Sequence, residues 1–263
     1  MRLKDLKDKV VIITGSGSGI GQSLAKGYAE QGAKVVITDV SLEKTSETKE
    51  IIDKCGGASI ALKCDVTQEK DVMNMVEEVI NKFNTIDILV NNAGVEIGTK
   101  PIIEMKQEEW DILMNVNLKG AFLCSKHVGK LFSEKREGVL INIGSLTAKI
   151  PRWNLGAYST SKSGIAQLTR VLALEMAEYN VRVNAVCPGA TNTPMFEETR
   201  RNNPDFTFDH FILGNSKTFR AGIPLRCTAD PEDQVNAALF LSSSVAKHIT
   251  GQLLFVDGGE SII

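Results

Sequence analysis

Apolar residues in this chain fall into short unbroken runs that alternate with helical stripes. Val10-Val11-Ile12-Ile13-Thr14 is β-branched and apolar throughout, the pattern of a strand buried on both faces. A helical stripe through Ala25, Tyr28 and Ala29 follows and closes at Gln31-Gly32. Lys34 to Asp39 reads as the second strand, with a helix beginning near Ser41, and Ser59 to Lys63 as the third. A helix from about Gln68 to Phe83 carries Val72, Met75, Val76 and Val79 on one face, before a strand at Ile86 to Val90. Trp110 to Phe132 reads as one long amphipathic helix and Gly138 to Ile143 as a strand. A further helix runs to about Tyr179, turning Leu168, Val171, Leu172 and Leu174 toward a core. The strand Val181 to Val186, the helix Pro231 to Ser243 and the strand Gln252 to Val256 complete the pattern. Such alternation predicts an α/β fold, a single doubly wound parallel sheet flanked by helices on both faces, with residues 1–263 in one domain. One stretch breaks the rhythm. Residues 190–223 are polar, with Phe196, Phe206, Phe208, Phe211 and Phe219 interspersed, and predict a lid over a substrate.

Composition narrows the function classes. With 30 basic and 32 acidic residues the net charge is -2, so nothing points to nucleic acid or an anionic membrane as a partner. No apolar run approaches the roughly 20 residues that span a bilayer. The polar start Met1-Arg2-Leu3-Lys4-Asp5 leads directly into a strand, so a signal peptide is not expected. Cys55, Cys64, Cys124, Cys187 and Cys227 are scattered, each in or beside an apolar run and none in Cys-x-x-Cys spacing. They predict reduced core or near-core thiols of a cytoplasmic protein. His127, His210 and His248 are far apart, so no metal site is expected.

The chemistry concentrates at the ends of the strands. Gly15-Ser16-Gly17-Ser18-Gly19-Ile20-Gly21 lies between a strand and a helix, where glycines let the backbone approach a pyrophosphate at the positive end of the helix. Its spacing, Gly15-x3-Gly19-x-Gly21, departs from the commoner G-x-G-x-x-G. Asp39 ends the second strand 18 residues beyond Gly21; a carboxylate there accepts hydrogen bonds from a ribose and repels a 2′-phosphate. No Arg or Lys occupies the glycine loop or the two positions after Asp39, which favours NAD over NADP. The plainer alternative for Asp39 is a cap on the next helix. Asp65 sits where an adenine ring would meet it, and Asn91-Asn92-Ala93-Gly94 closes a strand where Asn side chains tie neighbouring strands together. Asn117 is ill-suited to a helix interior, which points to a site. Tyr158 and Lys162 are one helical turn apart, and a nearby ammonium favours a phenolate, turning a tyrosine into an acid/base catalyst. An isolated pair of this kind is more often solvated surface.

The ordered set Thr14-Gly15-x3-Gly19-Ile20-Gly21, Asn91-Asn92-Ala93-Gly94, Asn117, Ser145, Tyr158-x3-Lys162 and Pro188-Gly189 resembles the short-chain dehydrogenase/reductase family, from about Asp8 to Gly259. That resemblance implies a Rossmann-type, NAD-dependent oxidoreductase that moves a hydride between the cofactor and a secondary alcohol or ketone. It implies that Tyr158 exchanges a proton with the substrate oxygen and that Lys162 lowers the Tyr158 pKa and binds the nicotinamide ribose. Ser145 would polarise the substrate oxygen, and Asn117 would hold a water behind Lys162. Gly15, Ser18, Gly19, Ile20, Gly21, Asp39, Asp65, Val66, Asn92, Gly94, Pro188, Gly189 and Thr191, with Tyr158 and Lys162, fall at positions implied to touch the dinucleotide. Gly144 departs from the many relatives that carry a second Ser before Ser145. The resemblance also implies a homotetramer, with the helices around Trp110–Phe132 and Tyr158–Tyr179 as its interface.

Substrate residues are expected after the Asn-Asn-Ala-Gly turn (Val95, Glu96), after Ser145 (Thr147, Trp153, Asn154), at Ser145 itself and in the lid. Glu96 and the run Lys149-Ile150-Pro151-Arg152-Trp153 resemble stretches of sugar dehydrogenases, whereas the lid phenylalanines point to a cyclic alcohol or steroid. A sugar or polyol is placed first. A salt bridge or subunit contact is the alternative role for Glu96. Two other functions stay open: an NADPH-dependent 3-oxoacyl-carrier-protein reductase, and a non-catalytic NAD-sensing binding protein.

Overall fold

A computed structural model describes residues 4–202 and 207–262. Strand β1 (Val10–Thr14) is buried at every position, as its β-branched run requires. It feeds α1 (Gly19–Glu30), followed by β2 (Lys34–Asp39), α2 (Leu42–Lys54), β3 (Ala58–Lys63), α3 (Glu69–Phe83) and β4 (Ile88–Asn91). The second half runs through α4 (Gln107–Met114), α5 (Gly120–Lys135), β5 (Gly138–Ile143), α6 (Gly156–Ala177) and β6 (Val181–Pro188). Then come α7 (Pro194–Asn202), α8 (Phe208–Leu213), the hairpin β7 (Gly214–Asn215) and β8 (Arg220–Ala221), α9 (Pro231–Ser242) and β9 (Leu253–Val256).

Seven strands form one sheet in the order β3-β2-β1-β4-β5-β6-β9, parallel throughout. The expected doubly wound sheet is therefore present. The order reverses between β1 and β4, which opens a crevice beyond the carboxyl ends of those strands. Alternate residues of β1 feed two cores. Val11 and Ile13 pack with Leu24, Tyr28 and Val235 of α1 and α9, while Val10 and Ile12 pack with Val72, Met75, Leu123 and Phe132 of α3 and α5. Pairing Val10 with Lys34 and Thr14 with Thr38 aligns β1 and β2 so that their ends deliver the glycine loop and Asp39 side by side.

Several details differ from the sequence pattern. The helix expected over Trp110–Phe132 begins earlier, because Glu109 Oε2 accepts from the Lys106 N–H at 2.9 Å. It is interrupted by a π-helical turn, Asn115–Lys119, around Asn117. On α6, Leu174 and Val171 face outward, at 81% and 38% exposure, while Ile165, Ala166 and Ala173 face the core. Cys55 and Cys227 are exposed; only Cys64, Cys124 and Cys187 are buried. The 190–223 stretch is no bare loop, since it holds α7, α8 and the β7–β8 hairpin. Phe196 and Phe211 stack edge to face at 4.8 Å, Phe208 and Phe219 are exposed, and Phe206 lies outside the described residues.

Candidate active site

A cavity of about 300 Å³ occupies the crevice. The glycine loop forms one wall because its glycines allow contacts that a side chain forbids. Gly15 has φ +62°, and a Cβ there would lie 2.7 Å from the Ala93 Cα. A Cβ on Gly21 would lie 2.2 Å from the Gly15 carbonyl oxygen. Asn92 locks this arrangement, its Nδ2 donating to the Thr14 and Gly15 carbonyls at 2.9 Å each. The α1 N-terminus then opens on the cavity with no side-chain cap from Ser18 and no acid in its first turn. Its free N–H groups and positive dipole end suit a pyrophosphate. These residues fit a nicotinamide dinucleotide.

Asp39 faces the same cavity. Its Oδ2 accepts from the Gly17 N–H at 3.3 Å and its Oδ1 from the Ser41 N–H at 3.1 Å. The cap of α2 is Ser41, whose Oγ accepts from the Lys44 N–H, so Asp39 braces the approach to the helix without capping it. A Cβ on Gly17 would meet the Lys44 Cβ at 2.7 Å and Asp39 Oδ2 at 3.0 Å, so the first turn of α2 brings a lysine close to Asp39. The two positions after Asp39 do not include it.

On the opposite wall β5 and α6 deliver Ser145, Tyr158 and Lys162. The Tyr158 phenol lies beside the Ser145 hydroxyl, whose Oγ accepts from the Thr147 N–H at 3.2 Å. Lys162 Nζ donates to the Ile143 carbonyl at 2.9 Å and lies 5.8 Å from the Tyr158 ring centre. Burial lowers the Lys162 ammonium to about 8. Burial and the Glu96 carboxylate raise the Tyr158 phenol, outweighing the lowering by Ser145. In the ligand-free protein Tyr158 is therefore held as the acid. The direction is opposite to the depressed value that the resemblance implied, because burial disfavours the phenolate. Asn117 stands behind Lys162, but its amide is already used. Its Oδ1 accepts from the Val95 N–H at 2.7 Å, and its Nδ2 donates to the Val95 carbonyl at 2.9 Å and to Ser161 Oγ at 3.2 Å. The side chain clamps the Asn92–Val95 turn against α6.

Glu96 lines the cavity with one buried carboxylate oxygen, Oε1, that has no hydrogen-bond partner. Burial raises its pKa to about 7, helped by the neighbouring Glu198 charge and opposed by a hydrogen bond with Thr199. No salt bridge engages it among the described residues. Gly144 also finds its reason here: a Cβ would sit 2.8 Å from the Cys187 Sγ, so the thiol fills the space where a serine would stand.

Most of the expected site residues meet in this one cavity, including Ser18, Gly19, Ile20, Gly94, Thr147, Pro188, Gly189 and Thr191. Asp65, Val66, Asn117, Trp153 and Asn154 are not on its walls. Asp65 Oδ1 is taken by the Thr67 N–H and hydroxyl, Val66 packs under Gly120, and Trp153 is 56% exposed. Asn154 adopts φ +63° in a turn whose carbonyl accepts from the Lys100 N–H. Arg152, Leu155 and Arg220 line the cavity and were not singled out. Arg152 lay within the run noted for its likeness to sugar dehydrogenases, but Arg220 carries no local signal, since only the β7–β8 hairpin returns it to the site.

The fold and site together define an oxidoreductase of the nicotinamide-dinucleotide class. A family model described as "Enoyl-(Acyl carrier protein) reductase" matches residues 15–261. A 2,3-dihydro-2,3-dihydroxybenzoate dehydrogenase of Bacillus subtilis is 36% identical over 262 residues, covering 100% of this chain and 99% of the relative. A 3beta-hydroxysteroid dehydrogenase 1 of Eggerthella lenta is 37% identical over 260 residues, covering 98% and 95%. The crystal structure of a 3-ketoacyl-(acyl-carrier-protein) reductase from Brucella melitensis, complexed with NADH, superposes with a TM-score of 0.87 at 35% identity, covering 97% of this chain and 99% of that one. The chain belongs to the short-chain dehydrogenase/reductase family. Among the described residues no helix is long and apolar enough to cross a membrane.

Proposed function

We propose that this protein is an NAD-dependent dehydrogenase that interconverts a secondary alcohol and its ketone, with a hydroxylated ring or polyol as substrate. The observation that carries this reading is the meeting of Ser145, Tyr158 and Lys162 in one cavity with the uncapped end of α1. When bound, the dinucleotide supplies the site that accepts or donates hydride. Gly15 to Gly21 would hold its pyrophosphate, Asp39 its adenosine ribose and Lys162 its nicotinamide ribose. Ser145 and the Tyr158 phenol hold the substrate oxygen between them. In reduction the Tyr158 O–H passes its proton to the developing alkoxide; in oxidation the phenolate takes that proton from the alcohol. Glu96 Oε1 accepts a second substrate hydroxyl, which supplies the partner that this buried oxygen lacks. The similarity to a dihydrodihydroxybenzoate dehydrogenase of Bacillus and a hydroxysteroid dehydrogenase of Eggerthella supports a cyclic alcohol.

Tyr158→Phe tests the chemistry. It is expected to lower kcat by several orders of magnitude while NAD binding stays nearly intact, whereas Lys162→Ala damages both. With NAD⁺ bound, its positive charge would add to Lys162 in favouring the phenolate, so the wild-type oxidation rate should rise with pH through a group titrating below free tyrosine's value of roughly 10, with apparent values belonging to the Tyr158–Lys162 pair. Wild-type turnover in Tyr158→Phe would refute the mechanism.

The Brucella structure favours a second reading, reduction of 3-oxoacyl groups on a carrier protein. Faster turnover of an acetoacetyl thioester with NADPH than of any alcohol with NAD would select it. NAD binding without turnover of any alcohol or ketone would select a sensing role. A cytoplasmic homotetramer completes the proposal, supported by the exposed Ile112, Phe122 and Leu174 on α4, α5 and α6, and light scattering tests the assembly.

A further inference from the structure

Arg152 and Arg220 arrive at the cavity from segments far apart in sequence, and both are nearly buried, their side chains 8% and 11% exposed. Both guanidiniums bond one and the same oxygen, Oε1 of Glu260, at 2.5 Å and 2.7 Å. The Arg220 Nε is buried with no hydrogen-bond partner, and so is Glu260 Oε2. The other carboxylate felt by Arg152, that of Asp257, is used by the N–H groups of Gly259 and Ser261. The Arg220 guanidinium carbon lies 4.4 Å from the centre of the Phe211 ring, and Phe211 packs edge to face on Phe196.

This arrangement is poor as a purely structural salt bridge. A guanidinium is a planar fork whose parallel N–H groups match the two oxygens of a carboxylate, yet here two forks share a single oxygen. Buried donors left without acceptors cost free energy, and buried charge adds to that cost unless its hydrogen-bonding capacity is met. Arg152 and Arg220 both stand on the cavity wall with a single carboxylate oxygen between them, so an anionic group entering the cavity is placed to pair with their guanidiniums. The aromatic pair beside Arg220 offers the carbon skeleton of such a molecule an apolar surface.

We propose that Arg152 and Arg220 form a carboxylate-binding subsite, and that the substrate is a secondary alcohol or ketone that also carries a carboxylate, with its ring or chain against Phe196 and Phe211. This deepens the dehydrogenase reading and rests on it. Glu96, on the same cavity, repels a carboxylate and accepts a hydroxyl. The two ends of the substrate are thereby told apart, and the carbinol is oriented between Ser145 and Tyr158.

The test compares matched compounds at saturating NAD⁺: 3-hydroxycyclohexanecarboxylate, its carboxamide and cyclohexanol, read as NADH formation. Charge-assisted hydrogen bonds of this kind predict a kcat/KM for the acid about 10- to 100-fold above the amide. In Arg152→Gln and in Arg220→Gln that ratio should fall to within about threefold of unity. A ratio near one in the wild type, or one unchanged in both variants, overturns the subsite; should the variants not fold, the wild-type comparison decides alone. Turnover of cyclohexanol without preference for the acid defeats this inference only, whereas no NADH from any of the three compounds defeats the dehydrogenase reading. In that event calorimetry on the NADH-loaded protein still decides the subsite. Cyclohexanecarboxylate binding above cyclohexanecarboxamide supports it, and equal binding overturns it.

Discussion

Replacing Glu96 by Gln removes a charge that the ligand-free fold opposes. Burial, reinforced by the Glu198 charge, raises the Glu96 pKa from 4.5 to about 7, with Thr199 opposing the shift and Tyr158 neutral beside it. The group binds its proton more tightly in the folded protein than in the unfolded chain. Stability is therefore lost as pH rises from the unfolded value toward 7, and the deficit is complete above that. At 1.36 kcal/mol per pKa unit the deficit reaches about 3 kcal/mol at pH 8 and only about 1 kcal/mol at pH 5. Gln has the same shape and no charge, so Glu96→Gln should gain stability at pH 8 relative to pH 5. With roughly 2–4 °C per kcal/mol for a domain near this size, the Tm advantage should be about 4–8 °C larger at pH 8 than at pH 5.

Differential scanning calorimetry of both proteins, ligand-free and at one concentration, measures this. Any pH-independent effect of the amide, such as an altered bond to Thr199, cancels between the two pH values. An equal Tm difference at pH 5 and pH 8 would show that Glu96 carries no destabilising charge. The expected loss of a polyol's affinity in the same variant links the two observations: a carboxylate that weakens the empty fold is retained for the ligand it receives.

Asp39→Ala should lose NAD affinity and gain relative tolerance of NADP, because it removes the ribose acceptor and the charge that repels a 2′-phosphate; unchanged discrimination in a cofactor titration would leave Asp39 as a loop brace only. Residues 190–223 should exchange amide hydrogens faster than the central sheet without ligand and be protected when cofactor and substrate bind, which equal protection in both states would refute. Gly144→Ser should destabilise the protein by roughly 1–3 kcal/mol through its collision with the Cys187 Sγ, and pairing it with Cys187→Ala should restore most of that loss in urea denaturation.

The parts of the site that could be read from the chain are those that one strand and one helix build locally. The glycine loop, Asp39 and the Tyr158–Lys162 turn each depend on residues within a few positions, and the cavity gathers them all. What escaped reading depends on returns across the fold. The 3.6-residue stripe over Trp110–Phe132 does not reveal the π turn, since one inserted residue leaves the flanking periodicity intact; only the misplaced Asn117 hinted at it. Leu174 carried the apolar character of a core residue but lies on the outer row of α6, where a helical pattern alone does not say which neighbour will cover it. The Arg152–Glu260 contact joins residues 108 positions apart, and Arg220 completes it only because the β7–β8 hairpin turns back. The orphaned oxygen of Glu96 is equally invisible in one dimension, because a missing partner is a property of the whole surrounding wall. Hydride and proton chemistry requires a few groups at fixed short spacing, so a sequence can carry its signature. The charges proposed to recognise substrate come from the loop after β4, the loop before α6, the hairpin and the turn after β9, and their meaning arises only when the fold brings them to one cavity.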